Sequence, residues 1–257
     1  MSVVARKRQE RDPYAESDVK APLAFVIALA VIALAGVAAW VWYFPSASLH
    51  YKLSVDVDDN GVMRHGEGVI GVYFQSNGFM LIDKTPHWSI GVRGEAFAVD
   101  LGERGAMFVL LSDDRTRKRS AEAGRGALFW YFGDSFGDLP PNYIGKLRLD
   151  EFMRNRAVVE VKPDALPMLV RFGDINDPKS AERVDPEHLD AGFGPGARLA
   201  RATVQITDQP VSTGIENRLR WVASAAVMKN PGWSDLPLQT RIVVNGLFTG
   251  TPEAHFK

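Results

Sequence analysis

LHYKLSVDVDDNG, residues 49–61, is the stretch that decides the fold. Apolar and polar residues alternate from Leu49 to Val57, which is the two-residue period of a strand with one buried face. The closing letters DNG, residues 59–61, tolerate positive φ and predict a tight turn. The apolar run VIGVYF, residues 69–74, can return as the antiparallel partner. These residues therefore predict a β-hairpin.

Shorter apolar or alternating runs continue along the chain after the hairpin. Each is bounded by glycine, proline or charged residues, as is typical of strands. The sequence therefore predicts a mainly β domain, a β-rich α+β fold, over residues 45–257. The further strands are predicted at residues 95–101, 106–111, 157–161, 168–172, 198–207 and 241–248.

A few helices are expected within this domain. Asp-Pro pairs at residues 177–178 and 185–186 predict two short ones, because aspartate caps a helix and proline suits its first position. A longer helix is expected to begin near Thr213, whose spacing to Glu216 forms a capping box, and to run toward Met228.

An apolar segment, PLAFVIALAVIALAGVAAWVWYF at residues 22–44, precedes the β domain. It carries no charge, and at about 1.5 Å per residue it is long enough for the roughly 30 Å hydrocarbon core of a bilayer. Aromatic side chains favour the boundary between membrane and water, and several crowd the end of this segment. The sequence thus predicts one transmembrane helix. The aromatic residues are Trp40, Trp42, Tyr43 and Phe44.

Cations flank the apolar segment unevenly, and the more cationic side of a membrane helix stays in the cytoplasm. Residues 1–21 are therefore expected to form a cytoplasmic tail, with the β domain outside a bacterial cytoplasmic (inner) membrane, in the periplasm. A cleaved signal peptide remains the alternative, but its apolar core is usually roughly 7 to 15 residues long, which favours an uncleaved anchor. The cations are Arg6, Lys7, Arg8, Arg11 and Lys20 before the segment, against Lys52 and Arg64 after it.

Composition excludes several classes of function. The formal charge is -1, which gives no electrostatic reason to expect nucleic acid as a partner. Cysteine is absent, so the chain has no disulfide framework, thiolate metal site or cysteine nucleophile. No cofactor motif is found, and the expected partners are the membrane and other envelope proteins.

One segment matches a calcium-binding loop by its letters. Residues 56–67, DVDDNGVMRHGE, fit the pattern D-x-[DN]-x-[DN]-G-x5-E. That loop must join two helices, whereas here an alternating strand enters it, so exposed acidic residues beside a hairpin turn are the preferred interpretation. Calcium binding remains an alternative. Its ligands would be Asp56, Asp58, Asn60 and Glu67.

A second segment, ALFWYFGDSFG at residues 127–137, resembles the serine block of GDSL-type (SGNH) esterases. The resemblance implies Ser135 as nucleophile, Asn176 as oxyanion donor, His188 as the base and Asp185 as the acid that orients it. Only nine positions separate Asn176 from Asp185, and no βαβ alternation surrounds the serine. The esterase therefore stays an alternative to a domain without catalysis.

Four further blocks resemble a family of bacterial proteins without an assigned activity. The resemblance implies one continuous domain and no catalytic residues. The leading expectation is therefore a single-pass membrane-anchored envelope protein whose domain serves as a binding or structural module. The blocks are VRFGDINDPKS (170–180), VDPEHL (184–189), FGPG (193–196) and VQITDQPVSTGIE (204–216).

Overall fold

The computed structural model describes residues 17–77, 87–111, 131, 139–156, 158–223 and 238–247. The strands within these ranges are β1 (Ser46–Asp59), β2 (Val62–Ser76), β3 (Trp88–Arg93), β4 (Phe97–Asp100), β5 (Ala106–Val109), β6 (Val158–Glu160), β7 (Leu169–Phe172), β8 (Ala181–Val184) and β9 (Ala197–Thr207). The α-helices are α1 (Ser17–Tyr43), α2 (Tyr143–Asn155), α3 (Leu189–Phe193), α4 (Arg220–Ala223) and α5 (Leu238–Gly246). Short 3-10 helices lie at Gly102–Arg104, Pro163–Ala165, Pro178–Ser180 and Ile215–Asn217.

Two antiparallel sheets make the described structure β-rich. The first has the strand order β3-β2-β1-β9-β6 and the second has the order β4-β5-β7-β8. β1 and β2 form the predicted hairpin, in which Ser46 pairs with Gln75 and Asp59 pairs with Val62. Its turn residue Asn60 has a φ of 53° and Gly61 a φ of 84°, the positive values that the DNG sequence favours. The predictions of the hairpin and of a mainly β fold are confirmed.

The main hydrophobic core brings together residues from both sheets. Leu53, Val55 and Val57 are the inward side chains of β1, and they belong to one buried cluster with Met107 and Val109 of β5. The alternation that predicts β1 therefore reflects one face packed on apolar neighbours and one face turned away from them.

The second sheet is covered on its other face too. Phe108 and Leu110 alternate along the chain with Met107 and Val109, which belong to the main core. They form a separate buried cluster with Leu219 and Leu247. Burial on both faces explains why residues 106–111 read as an almost continuous apolar run rather than as an alternating one.

Most predicted strands are present, but one is wrong. Five observed strands lie inside the predicted bounds or within one residue of them: β4, β5, β6, β7 and β9. Residues 241–248, predicted as a strand, contain instead the end of helix α5. Thr240, Val243, Val244 and Leu247 are all buried, and their spacing is that of one helical face. The β-branched run at residues 242–244 favours a strand locally, and packing against the second sheet overrides that preference.

The predicted helices are only partly correct. Asp177 accepts a hydrogen bond from Lys179 N–H at 2.9 Å and caps the helix Pro178–Ser180, as expected, although this helix is 3-10. Asp185 instead closes a turn by accepting from Glu187 N–H at 2.9 Å, and α3 begins only at Leu189. Sequence patterns did not predict β3, β8 or α2.

The helix expected from Thr213 begins later than predicted: Ile215–Asn217 is a 3-10 helix, and α-helical geometry starts at Arg220 in α4. Gly214, with a φ of 108°, lies outside the α-helical region, so no α-helix runs on directly from Thr213. The buried carboxylate of Glu95 accepts from the N–H groups of Gly214 at 2.6 Å and Ile215 at 3.0 Å, so a distant residue caps the following 3-10 helix. The stretch from residue 224 to Met228 lies outside the described residues.

Helix α1 contains nearly all of the predicted apolar segment. Its part Leu23–Tyr43 has a mean hydropathy of 2.6, and none of its most apolar window is buried within the protein. The helix is therefore long and apolar enough to cross a membrane once, a description that a signal sequence near the N-terminus also meets.

Candidate functional site

The junction between α1 and the first sheet is tightly braced. Only Phe44 and Pro45 separate the end of α1 from β1. Ser76, at the end of β2, is 1% exposed, and its N–H donates to Pro45 O at 3.0 Å. Its Oγ lies within hydrogen-bond distance of two carbonyl oxygens, those of Tyr43 at 3.0 Å and Pro141 at 2.5 Å. One serine thus joins α1, the hairpin and the segment that leads into α2.

Helix α2 completes this junction. Asn142 caps it by accepting from Ile144 N–H at 3.0 Å and Gly145 N–H at 3.3 Å. The ring of Tyr143, its first residue, stacks on Trp42 with centroids 5.9 Å apart. The sequence signal was present, since Pro-Pro-Asn at residues 140–142 is a helix start, but nothing local indicates that Tyr143 meets Trp42.

An exposed turn after β8 holds a cluster of titratable side chains. Ligand atoms of Asp185, Glu187 and His188 lie within 4.8 Å of one another, the one such group found among the described residues. Two carboxylates and an imidazole are suitable ligands for a divalent cation. The pKa of Asp185 is below its ordinary value of 3.8. The main cause is the hydrogen bond from Glu187 N–H, and the second is the hydrogen bond with His188. These bonds shape the turn, so local structure alone accounts for the cluster.

A cavity lies beside the Asp185 turn. Its volume is about 270 Å³, and its walls combine apolar residues with charged ones at the rim. It is smaller than the roughly 300 to 1,000 Å³ of typical small-molecule sites. The residues that line it include Leu166, Met168, Leu169, Arg183, Asp185 and Glu187.

The residues of the esterase resemblance are only partly brought together. His188 Nδ1 lies 3.2 Å from Asp185 Oδ2, the pairing that a D-x-x-H motif requires, but the two side chains are 68% and 58% exposed. Asn176 belongs to the turn after β7, where its Nδ2 donates to Asp174 Oδ1 at 3.3 Å. Ser135, the serine of this resemblance, lies outside the described residues.

The calcium-loop letters lie on a hairpin rather than between two helices. Asp56 Oδ1 is 2.7 Å from His65 Nδ1 across the hairpin, and Glu67 Oε2 is 3.1 Å from Lys52 Nζ. Asp58 contacts a third basic residue, Arg198, whose guanidinium lies 2.6 Å away.

Asn60, the fourth residue of that set, sits in the turn itself. Its N–H donates to Gly196 O at 3.2 Å. The four predicted ligands therefore share one hairpin, and each of their three carboxylates already contacts a basic side chain.

Sequence reasoning missed Ser76 and Tyr143. Neither belongs to a motif, and their roles arise from contacts with Pro45, Pro141 and Trp42 that fold in from other parts of the chain. A tryptophan at the end of an apolar helix signals a boundary with water, but it does not name its neighbour. Comparison of the chain with known family models, characterised proteins and solved structures finds no match.

Proposed function

We propose that the chain is a single-pass membrane-anchored envelope protein whose β-rich domain rests directly on the outer surface of a bacterial cytoplasmic membrane. There the domain acts as a binding or structural module without catalysis. The observation that carries the proposal is the junction at Tyr43–Ser46, where an exposed apolar helix runs into a sheet with two intervening residues.

The exposure of α1 supports a membrane as its surroundings. Phe25 is 66% exposed, Ile32 66% and Leu34 69%, and each such side chain would be stabilised by about 1.5 to 3 kcal/mol on leaving water. The described part of the protein leaves these side chains uncovered. A bilayer supplies the apolar surroundings that they lack.

The short junction supports a domain held close to the membrane. A flexible linker would let the domain move away from the bilayer, whereas Ser76 fixes the end of α1 to β2 and to the start of α2. The hairpin tip at Asn60 lies at the far end of β1, whose 14 residues place it about 45 Å from the junction. Such a domain offers its sides and tip to partners in the envelope.

Topology tests this proposal. The chain lacks cysteine, so single substitutions Ser2→Cys and Met63→Cys can report which side of the membrane each end occupies. In intact bacterial cells whose outer membrane is permeabilised, an impermeant maleimide should label Met63→Cys and leave Ser2→Cys unlabelled until the cells are lysed. Recovery of the chain in the soluble fraction after alkaline extraction, or the reverse labelling pattern, would contradict the proposal.

Cross-linking then tests the binding role. A photo-cross-linker at Val62, which is 51% exposed at the tip, should capture a discrete envelope partner in cells. The same cross-linker at Leu34 should contact lipid instead, and serves as the matched control.

A serine esterase is the second candidate, favoured by one observation, the Asp185–His188 contact. A fluorophosphonate probe distinguishes the two, because it reacts only with an activated serine. We expect no labelling of the full chain. Labelling that disappears in both Ser135→Ala and His188→Ala would establish the esterase.

A further inference from the structure

The geometry points to a second contact with the bilayer: the exposed face of α2 lies in the lipid headgroup region beside the end of α1. This inference rests on the proposed membrane anchorage and adds to it a defined lipid-binding surface. It is carried by the position of α2, by its two faces and by the order of apolar and basic residues along it.

The two faces of α2 differ sharply. Gly145 and Leu149 point toward the protein, and Leu149 is 1% exposed. On the opposite side, Ile144 is 45% exposed and Leu147 is 48% exposed. Two large aliphatic side chains on the outer face of a 13-residue helix need a reason when its inner face already packs on the core.

The position of α2 supplies that reason. Tyr143 stacks on Trp42, and Trp42 belongs to the aromatic end of α1 that suits the membrane boundary. Leu147 follows Tyr143 by four residues, so it lies on the same side and about 6 Å further along the helix. The headgroup region is itself about 5–7 Å thick on each side of the hydrocarbon core, so Leu147 is within its reach.

The charges on the outer face fit a lipid surface. Arg148, Glu151 and Arg154 are all exposed there, and with Phe152 and Asn155 they line one open depression. Arginine extends an apolar stem along a membrane while its guanidinium binds phosphate. Aliphatic residues next to the membrane helix, followed by arginines, form the arrangement of helices that lie in the interface plane.

Fluorescence quenching by lipid tests the inference with the full chain. Single cysteines at Leu147, Met63 and Leu34 would carry an environment-sensitive fluorophore in nanodiscs of brominated phosphatidylcholine and phosphatidylglycerol. Met63 is the matched control, because it is an apolar residue 58% exposed at the distant hairpin tip. Bromine should quench the label at Leu147 severalfold more strongly than the label at Met63, and the label at Leu34 most strongly.

The outcomes separate this inference from the proposed function. Strong quenching at Leu34 with equal, weak quenching at Leu147 and Met63 would overturn the α2 contact and leave the anchor intact. Weak quenching at all three positions would overturn both. The label at Leu147 could also be shielded from water only in discs that hold two copies of the protein, with no quenching by bromine. That result would overturn the lipid contact in favour of self-association.

Charge variants give an independent readout. In the Leu147→Cys chain, Arg154→Glu should reduce quenching in discs that contain phosphatidylglycerol and have little effect in discs of phosphatidylcholine alone. Arg154→Lys should retain the quenching, since it keeps the positive charge. Equal quenching with Arg154, Arg154→Glu and Arg154→Lys in discs that contain phosphatidylglycerol would show that Arg154 does not bind the lipid surface.

Discussion

Arg198 donates two hydrogen bonds to one oxygen of Asp58, from Nη2 at 2.6 Å and from Nε at 3.0 Å. The two residues face each other on β9 and β1. The other oxygen of Asp58 accepts from Gly61 N–H at 2.6 Å. One carboxylate, 9% exposed, therefore ties the hairpin turn to the neighbouring strand. The bonds from Arg198, followed by that from Gly61, lower the pKa of Asp58 below its ordinary value of 3.8.

Asp58→Asn should lower the melting temperature at neutral pH. Asparagine keeps an oxygen for Gly61 N–H but loses the charge that binds Arg198. Because the folded pKa of Asp58 is depressed, its contribution is present above the unfolded pKa and is lost as the pH falls through the folded pKa. The difference in melting temperature between the wild type and Asp58→Asn should therefore shrink in acid. Thermal melts of the full chain in detergent, from neutral pH to about pH 3, would show it.

Glu160→Gln on the exposed edge strand β6 is the control for this experiment, and its melts should follow those of the wild type at each pH. If Asp58→Asn were equally destabilised at neutral and acidic pH, the shape of the side chain rather than its charge would explain the loss.

Calcium should not stabilise the protein, although residues 56–67 match a calcium loop. Asp56, Asp58 and Glu67 each contact a basic side chain, and a calcium ion would have to displace all three contacts. The hairpin is also much straighter than the loop between two helices that wraps the ion. Melting curves in millimolar calcium and in a chelator should coincide. A rise in melting temperature with calcium that Glu67→Gln removes would contradict this prediction.

The hairpin was predictable because its determinants are local. Alternation from Leu49 to Val57 marks a half-buried strand, and Asn60-Gly61 fixes the turn, whatever the rest of the chain does. The pairing of β1 with β9 has no such local signal, and it includes an irregularity between Asp56 and Val57. Local patterns thus predict strands and turns, while the order of strands depends on distant residues.

Helix α5 and the junction show where local patterns fail. Val243 and Val244 favour a strand, but both are buried in a helix, and Val243 and Leu247 belong to one cluster with residues of the second sheet. Ser76 looks like an ordinary serine at a strand end, and its place between Tyr43 and Pro141 depends on the complete fold. Both features come from tertiary contacts, which periodicity does not contain.

His65 should titrate above its ordinary pKa, because it lies between two carboxylates. The hydrogen bond with Asp56 is the main cause of the raised pKa, partial burial opposes it, and the bond with Glu67 adds to it. With a raised folded pKa, the contribution of the charged imidazole is fully present below the unfolded value of 6.5 and is lost as the pH rises through the folded pKa. Nuclear magnetic resonance titration should place the midpoint above 6.5.

Asp56→Asn is the matched variant for His65. It removes the charge of Asp56, whose hydrogen bond is the main cause of the raised pKa of His65, and should lower the midpoint of the titration. The Glu67 contact should keep part of the increase in pKa. A midpoint that stays in place in this variant would show that Asp56 does not set the pKa of His65.

Gly145→Ala should disturb the seating of α2, even though alanine favours helices by about 1 kcal/mol over glycine. A Cβ at Gly145 would overlap the carbonyl oxygen of Pro140 and lie 3.2 Å from Cζ2 of Trp88. Backbone atoms of Pro140 cannot yield as a flexible side chain would, so α2 must shift away from the first sheet. The melting temperature should fall, and the proximity of Trp42 and Tyr143 should be lost.

Gly192→Ala is the matched control, since Gly192 also lies in a helix, α3, but a Cβ there meets its nearest atom at an ordinary 3.6 Å. This variant should be neutral or slightly more stable than the wild type, because only the helical preference changes. Cross-linking between cysteines at Trp42 and Tyr143 should remain efficient in Gly192→Ala and become weak in Gly145→Ala. Efficient cross-linking in both variants would mean that α2 tolerates the extra carbon and that Pro140 does not fix its position.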